Sequence, residues 1–167
     1  MALQLIKIET IEVASPVSSA TFSSIPQGYT DLIIKASTRD ATNNDNNTEL
    51  KIKFNGSATS YVNKYIQGNG STVVSGTYAT TYFYTGESDS LTATTNTFGS
   101  SEHYIPNYTS ANYKTMLSDL VSEDNTTVAY TNLSAGLWSN TAAITSIEFT
   151  CNGSFAANST FTLYGVL

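Results

Sequence analysis

The chain has 167 residues, a formal net charge of -6 and only 12% charged residues, about half the usual share. No run of Lys or Arg supplies a footprint for phosphate backbones, so nucleic acid is not an expected partner, and no stretch approaches the ~18 apolar residues of a membrane-spanning helix. A single Cys and a single His exclude an intrachain disulfide, a CxxC metal site and a histidine-built metal centre.

This length suits one domain with a single core, spanning residues 1–167. Ser, Thr and Asn fill the polar positions; they compete for backbone hydrogen bonds inside helices, and Thr suits a pleated surface, so the composition favours strands. The opening "MALQLIKIETIEV" is too short, and too interrupted by Lys7, Glu9 and Glu12, for a signal peptide or spanning helix. The expectation is a protein released inside the cell that makes it. Asn-x-Ser/Thr triplets such as Asn55-Gly56-Ser57 are chance products of the composition, not glycosylation sites.

In chain order, "TIEVAS" places Ile11 and Val13 on one face, "ATFSSI" carries Phe22, and "YTDLIIKAST" aligns Leu32, Ile34 and Ala36. The clearest strand follows: Leu50, Ile52 and Phe54 alternate with Glu49, Lys51 and Lys53 before an Asn55-Gly56 turn. "SYVNKYIQGN" offers one turn of helix, with Tyr61, Tyr65 and Ile66 on one side. Further strands are expected in "YATTYFYTG", "SSEHYIP", "YKTMLSDLVS", "TTVAYTNLS", "ITSIEFTC" and "STFTLYGVL". Turn signals at Pro16, Pro26-Gln27-Gly28, Gly68-Asn69-Gly70, Gly86, Pro106-Asn107 and Asn152-Gly153 separate them. About ten short strands at this spacing predict an all-β protein, an antiparallel jelly-roll-like β-sandwich whose first and last strands lie close together.

Chemistry-bearing patterns are few. His103 is the sole base available to a Ser-His-Asp triad, and in "SSEHYIP" it reads as an ordinary hydrogen-bonded strand residue. Glu87 with Asp89, and Glu123 with Asp124, read as solvated loop charges rather than glycosidase pairs. Asn43, Asp45 and Asn47 have the spacing that opens a calcium loop, but Thr48 stands where the sharp-turn Gly belongs and Phe54 where the bidentate Glu belongs. That stretch therefore reads as an exposed loop. No catalytic residue, metal or cofactor is assigned.

The aromatic residues are the compositional signal. "TYATTYFYTG" puts Tyr78, Tyr82 and Tyr84 in one parity and Phe83 in the other, which as a strand gives a tyrosine face and a core-directed Phe. Such a face suits packing, protein contact or stacking on sugar rings. Trp138 stands in a loop-like setting before "ITSIEFTC", where its ring is expected to cover an open end of the sandwich with the indole N–H on a backbone carbonyl, an interface contact being the alternative.

The whole chain resembles a family of small virion proteins from tailed bacteriophages, especially phages of aquatic bacteria. The phrases that carry it are "IETIEVASPVSSATFSSIPQGYTDLIIKASTR", "FNGSATSYVNKYIQGNGS", "NTFGSSEHYIPNYTSANYKTMLSDLVSEDN", "AGLWSNTAAITSIEFT" and "GSFAANSTFTLYGVL". The resemblance implies a place, the virion, and brings no catalytic residues. With no long fibrous repeat, it implies a capsid decoration protein that contacts the major capsid protein or tail components. The expected state is a homo-oligomer, with a trimer suggested by the three-fold positions that decoration proteins often occupy. The alternative is a tail-fibre or receptor-binding module that recognises a host surface glycan with Tyr78, Tyr82, Tyr84 and the Asn43 to Asn47 loop.

Overall fold

A computed structural model describes residues 4–123 and 129–167. The described residues form twelve strands: β1 (Leu5–Glu12), β2 (Val17–Phe22), β3 (Asp31–Thr38), β4 (Asn47–Phe54), β5 (Tyr61–Gly68), β6 (Val73–Thr80), β7 (Phe83–Asp89), β8 (Gly99–Ile105), β9 (Lys114–Ser122), β10 (Tyr130–Trp138), β11 (Ile147–Phe155) and β12 (Thr160–Val166). They build an antiparallel two-sheet β-sandwich. The eight-stranded sheet runs β1-β12-β3-β8-β9-β10-β5-β6 and the four-stranded sheet β2-β11-β4-β7. β1 pairs with β12, Leu5 opposite Val166, so the first and last strands are neighbours.

Two differences from the sequence reading account for the strand number. "SYVNKYIQGN" is strand β5, not a helical turn. A spacing of four satisfies a period of two as well as one of 3.6, so Tyr61, Asn63 and Tyr65 share the inward face while Ile66, of opposite parity, is 52% exposed. The single strand expected in "YATTYFYTG" is two strands: the chain turns at Thr81-Tyr82 and passes from β6 in the large sheet to β7 in the small one.

The core follows from strict alternation. Leu50, Ile52 and Phe54 on β4 and Phe149 on β11 face Leu32 and Ile34 on β3 and Phe161 and Leu163 on β12, all fully buried. Each such side chain contributes ~1.5–3 kcal/mol when fully buried. At one end, Phe54, Tyr61, Phe83 and Trp138 form an aromatic cluster with ring centroids 4.9 to 6.5 Å apart. Edge-to-face contacts dominate there, as the ring quadrupoles favour.

β7 lies very close to the large sheet because of two glycines. A side-chain carbon at Gly136 on β10 would collide with the Phe83 ring, and one at Gly86 on β7 would meet the Asn132 side chain. Gly86 also has φ 142°, a backbone state that L side chains rarely adopt, at a bulge where β7 slips register against Leu50 and Lys51 of β4.

Candidate interface on the large sheet

The Asn-rich loop is anchored from beneath by a buried carboxylate. Asp40 accepts from the N–H groups of Thr42 (2.9 Å), Asn43 (3.1 Å), Gly153 (2.7 Å) and Ser154 (3.0 Å) and from the Thr48 hydroxyl (2.9 Å). Burial alone would raise this carboxyl, but these donors hold it below its ordinary value. Several of the loop's own oxygens are engaged. The Asn43 amide donates to the Asn47 carbonyl at 2.9 Å and accepts from the Asp45 N–H at 3.3 Å. The Asp45 carbonyl accepts from the hydroxyls of Ser90 and Thr92. Among the described residues no group of three or more His, Cys, Asp or Glu converges on a point where a metal could sit.

The tyrosines do not form one exposed face. Tyr84 is only 3% exposed, and its hydroxyl donates to Glu87 at 3.0 Å. Tyr78, on β6, is half-buried 5.0 Å from the Tyr84 ring and 5.4 Å from Tyr65. Tyr82 is half-buried at the turn, with its hydroxyl on Glu49 and its ring under Lys51. The strand break places these rings at different angles, so coplanar stacking on a sugar is not what the trio offers. Phe83 is fully buried, as its parity predicts.

Trp138 closes β10 rather than a loop and is 1% exposed. Its indole N–H has no hydrogen-bond partner among the described residues, which corrects the expected bond to a carbonyl. The ring sits in the aromatic cluster because β10 runs far enough to carry position 138 into the sandwich.

The acids also differ from expectation. Glu87 and Asp89 belong to β7, not to a solvated loop, and Asp89 is buried. Burial pushes the Glu87 carboxyl up to about 7 against the opposing hydrogen bond from Tyr84, and Glu49, its cross-strand partner, raises it further. Glu123 is exposed just past β9, whereas Asp124 lies outside the described residues.

His103 is fully buried, hydrogen-bonded to Ser118 Oγ at 2.8 Å and Ser101 Oγ at 3.1 Å. Burial depresses it to about 3, so the ring is neutral at physiological pH. A serine beside a histidine is half of a hydrolytic triad, but here both are sealed between the sheets, out of reach of substrate. Cys151 is buried next to Asp40, and its thiol is pushed up to about 12 by burial and that neighbouring charge, far from the reactive thiolate range.

What the sequence reading did not find is on the outside. Five large apolar side chains stand at outward positions of β5, β10 and β9, beside Lys64, Thr115, Asp119 and Thr131: Val62 (40% exposed), Ile66 (52%), Leu133 (48%), Leu117 (48%) and Val121 (41%). Pairing sets them side by side. Leu137 lies opposite Val62, Leu133 opposite Ile66 and Ala135 opposite Leu117. Tyr104 on β8 stands beside Leu117 and borders the patch.

Two shallow depressions run along this face. One of about 560 Å³ is lined by Val62, Tyr104, Thr115, Leu117 and Leu137, and one of about 410 Å³ by Ile66, Leu117, Leu133 and Ala135. An exposed, contiguous apolar patch of this kind marks an interaction site rather than scattered surface residues. The inward positions of the same strands carry the polar groups Ser118, Ser122, Asn132 and Ser134.

A signal was present in "YTNLSAGLW" and "KTMLSDLVS". In β10 the Leu parity competes with the parity of Asn132, Ser134, Gly136 and Trp138, and the single large indole decides which face turns inward. Comparison with protein-family models, with curated proteins and with solved structures returns no match.

Proposed function

We propose that the chain is a non-enzymatic structural protein of a tailed-phage particle, a capsid decoration protein whose outer face of β5, β10 and β9 is a subunit junction. The observation that supports a junction is the apolar stripe Val62, Ile66, Leu117, Leu133 and Leu137 on the outside of a sheet whose own interior is closed. Burial of that stripe against a neighbouring subunit supplies the driving force for association, and a decoration layer that binds only the assembled shell stabilises the shell by mass action. The sealed His103 and Ser118 and the inert Cys151 are consistent with a role without bond chemistry. The phage setting rests on the resemblance of the sequence phrases.

Gold-labelled antibody against the chain on purified particles tests the placement. Label over the head is expected; label on the tail moves the same docking face to a tail component, and particles without label overturn the virion assignment. Particles assembled with a Leu117→Asp/Leu133→Asp chain are expected to lose the protein and with it heat and osmotic resistance.

A further inference from the structure

We infer that the occupant of this apolar face is a second copy of the same chain, laid face to face across a two-fold axis. The inference rests on reading the face as a subunit junction and names which subunit covers it. Two features of the face argue for a self-complementary partner.

The first is charge. Lys64 on β5 and Asp119 on β9 are both exposed on this face, on opposite sides of β10. Among the described residues Lys64 hydrogen-bonds the Thr77 hydroxyl, at 3.3 Å, and pairs with no anion. Among the same residues Asp119 pairs with no cation: its cross-strand neighbour Glu102 is paired with Lys35 at 2.9 Å. Two strand spacings and two residues along the strand separate Lys64 from Asp119, about 12 Å, so they do not meet within one chain. A two-fold axis lying in the interface, crossing β10 midway between Leu133 and Ala135 and tilted about 35° from the strand, brings each Lys64 onto the partner subunit's Asp119. Both unpaired charges are then neutralised, once on each flank of an apolar centre. Isologous contacts have this property: residue i meets j, and j meets i.

The second is area. The outer face of β6, β5, β10, β9 and β8 is five strands wide and about eight residues long, giving a footprint of about 600 Å² per copy at the standard spacings. Two copies bury at least about 1,200 Å² in total, the lower bound for specific stable pairs. Leu117, Leu133, Ile66 and Val62 occupy its middle, where desolvated apolar anchors dominate binding energy. Face-to-face pairing of this sheet closes at two copies, an alternative to the trimer that three-fold decoration positions suggest.

Sedimentation equilibrium on the purified chain tests this. The unaltered chain is expected at twice the chain mass at micromolar concentration, with Lys64→Asp and Asp119→Lys each weakening the dimer at least tenfold. The decisive measurement mixes the two single variants. One then carries acids at both positions and the other lysines at both, so the mixture is expected to form a heterodimer although neither variant pairs with itself. That recovery excludes misfolding as the cause of the single-variant losses. A monomer or trimer for the unaltered chain, single variants that dimerise normally, or a mixture that stays monomeric each overturns the inference. A monomeric chain that still labels particles and is lost from them on Leu117→Asp/Leu133→Asp substitution leaves the virion reading intact with a different occupant on the face.

Discussion

In β3 and β12 the side chains that point between the sheets are Leu32, Ile34, Phe161 and Leu163, while Lys35 and Thr162 point outward. In β9 and β10, strands of the same sheet, Ser118, Ser122, Asn132 and Ser134 point inward and Leu117, Val121 and Leu133 point outward. The layer beneath differs too. β3 and β12 rest on the bulky interior of β4 and β11, whereas β9 and β10 are crossed by β7, whose backbone comes close through Gly86 and Gly136. Where two backbones approach that closely the inward positions beside the crossing are small or polar, as at Gly136, Ser134 and Ser118, while Met116 and Leu120 on β9 still reach the core. Leu117, Val121, Leu133 and Leu137 are left on the outside. One half of the sheet buries nearly all of its large apolar residues and the other leaves a stripe of them exposed.

The largest test of that contrast is a pair of truncations. Leu163→Ala removes a fully buried side chain and is expected to cost ~2–5 kcal/mol. Leu133→Ala, measured below the concentration at which the chain associates, is expected to stay within about 0.5 kcal/mol. Urea unfolding reads both, and equal costs would mean that the outer face of β10 is part of the core.

The next effect is a pH dependence in which the two halves of the interior oppose each other. His103, depressed from 6.5 to about 3, binds its proton more readily in the unfolded chain, so its contribution makes stability rise between pH 3 and 6.5. Glu87, raised from 4.5 to about 7, binds its proton more readily in the folded chain, so its contribution makes stability fall between pH 4.5 and 7. The two slopes cancel between about pH 4.5 and 6.5, where both windows overlap. Glu87→Gln keeps an amide in place of the carboxyl beside Tyr84 and removes the falling limb. Stability of that variant is expected to climb without interruption up to about pH 6.5. Thermal melts across that range check it: a flat profile in the variant contradicts the depressed His103, and an unaltered chain that climbs as steeply as the variant contradicts the raised Glu87.

The smallest effect sharpens the polar side of the contrast. Ser134 Oγ is buried without a hydrogen-bond partner among the described residues, as are both amide atoms of Asn132. An unsatisfied buried polar group costs ~1–3 kcal/mol, so Ser134→Ala is expected to raise stability by about 1 kcal/mol. A loss of stability would show that the hydroxyl has a partner after all, and that the inside of β10 is better satisfied than its contacts indicate.

The strands of the first half were legible because alternation and core coincide: Leu32, Ile34 and Ala36, or Leu50, Ile52 and Phe54, are apolar on the parity that faces inward. In β5 and β10 alternation is just as regular but does not say which parity is inside. Counting apolar residues favours Val62 and Ile66, or Leu133 and Leu137, whereas the structure buries Tyr61 and Trp138 on the other parity. One large aromatic ring that must be excluded from water outweighs two aliphatic side chains that can be left half-exposed. The tyrosine trio failed for a related reason: parity holds only within one strand, and the turn at Thr81-Tyr82 resets it.

The amino-acid sequence alone determined that this protein is a two-layer β structure, because short alternating segments bounded by turn residues and poor in helix formers have few other ways to bury their apolar face. It also determined that His103 has no second histidine with which to build a metal centre. Only the tertiary structure decided which face of β5, β9 and β10 is outside, that Glu87 is half-buried beside Tyr84, and that Lys64 and Asp119 flank an apolar surface. Those properties depend on which strands cross and how closely, and close crossing is a relation between segments far apart in the chain, carried here by Gly86 against Asn132 and Gly136 against Phe83.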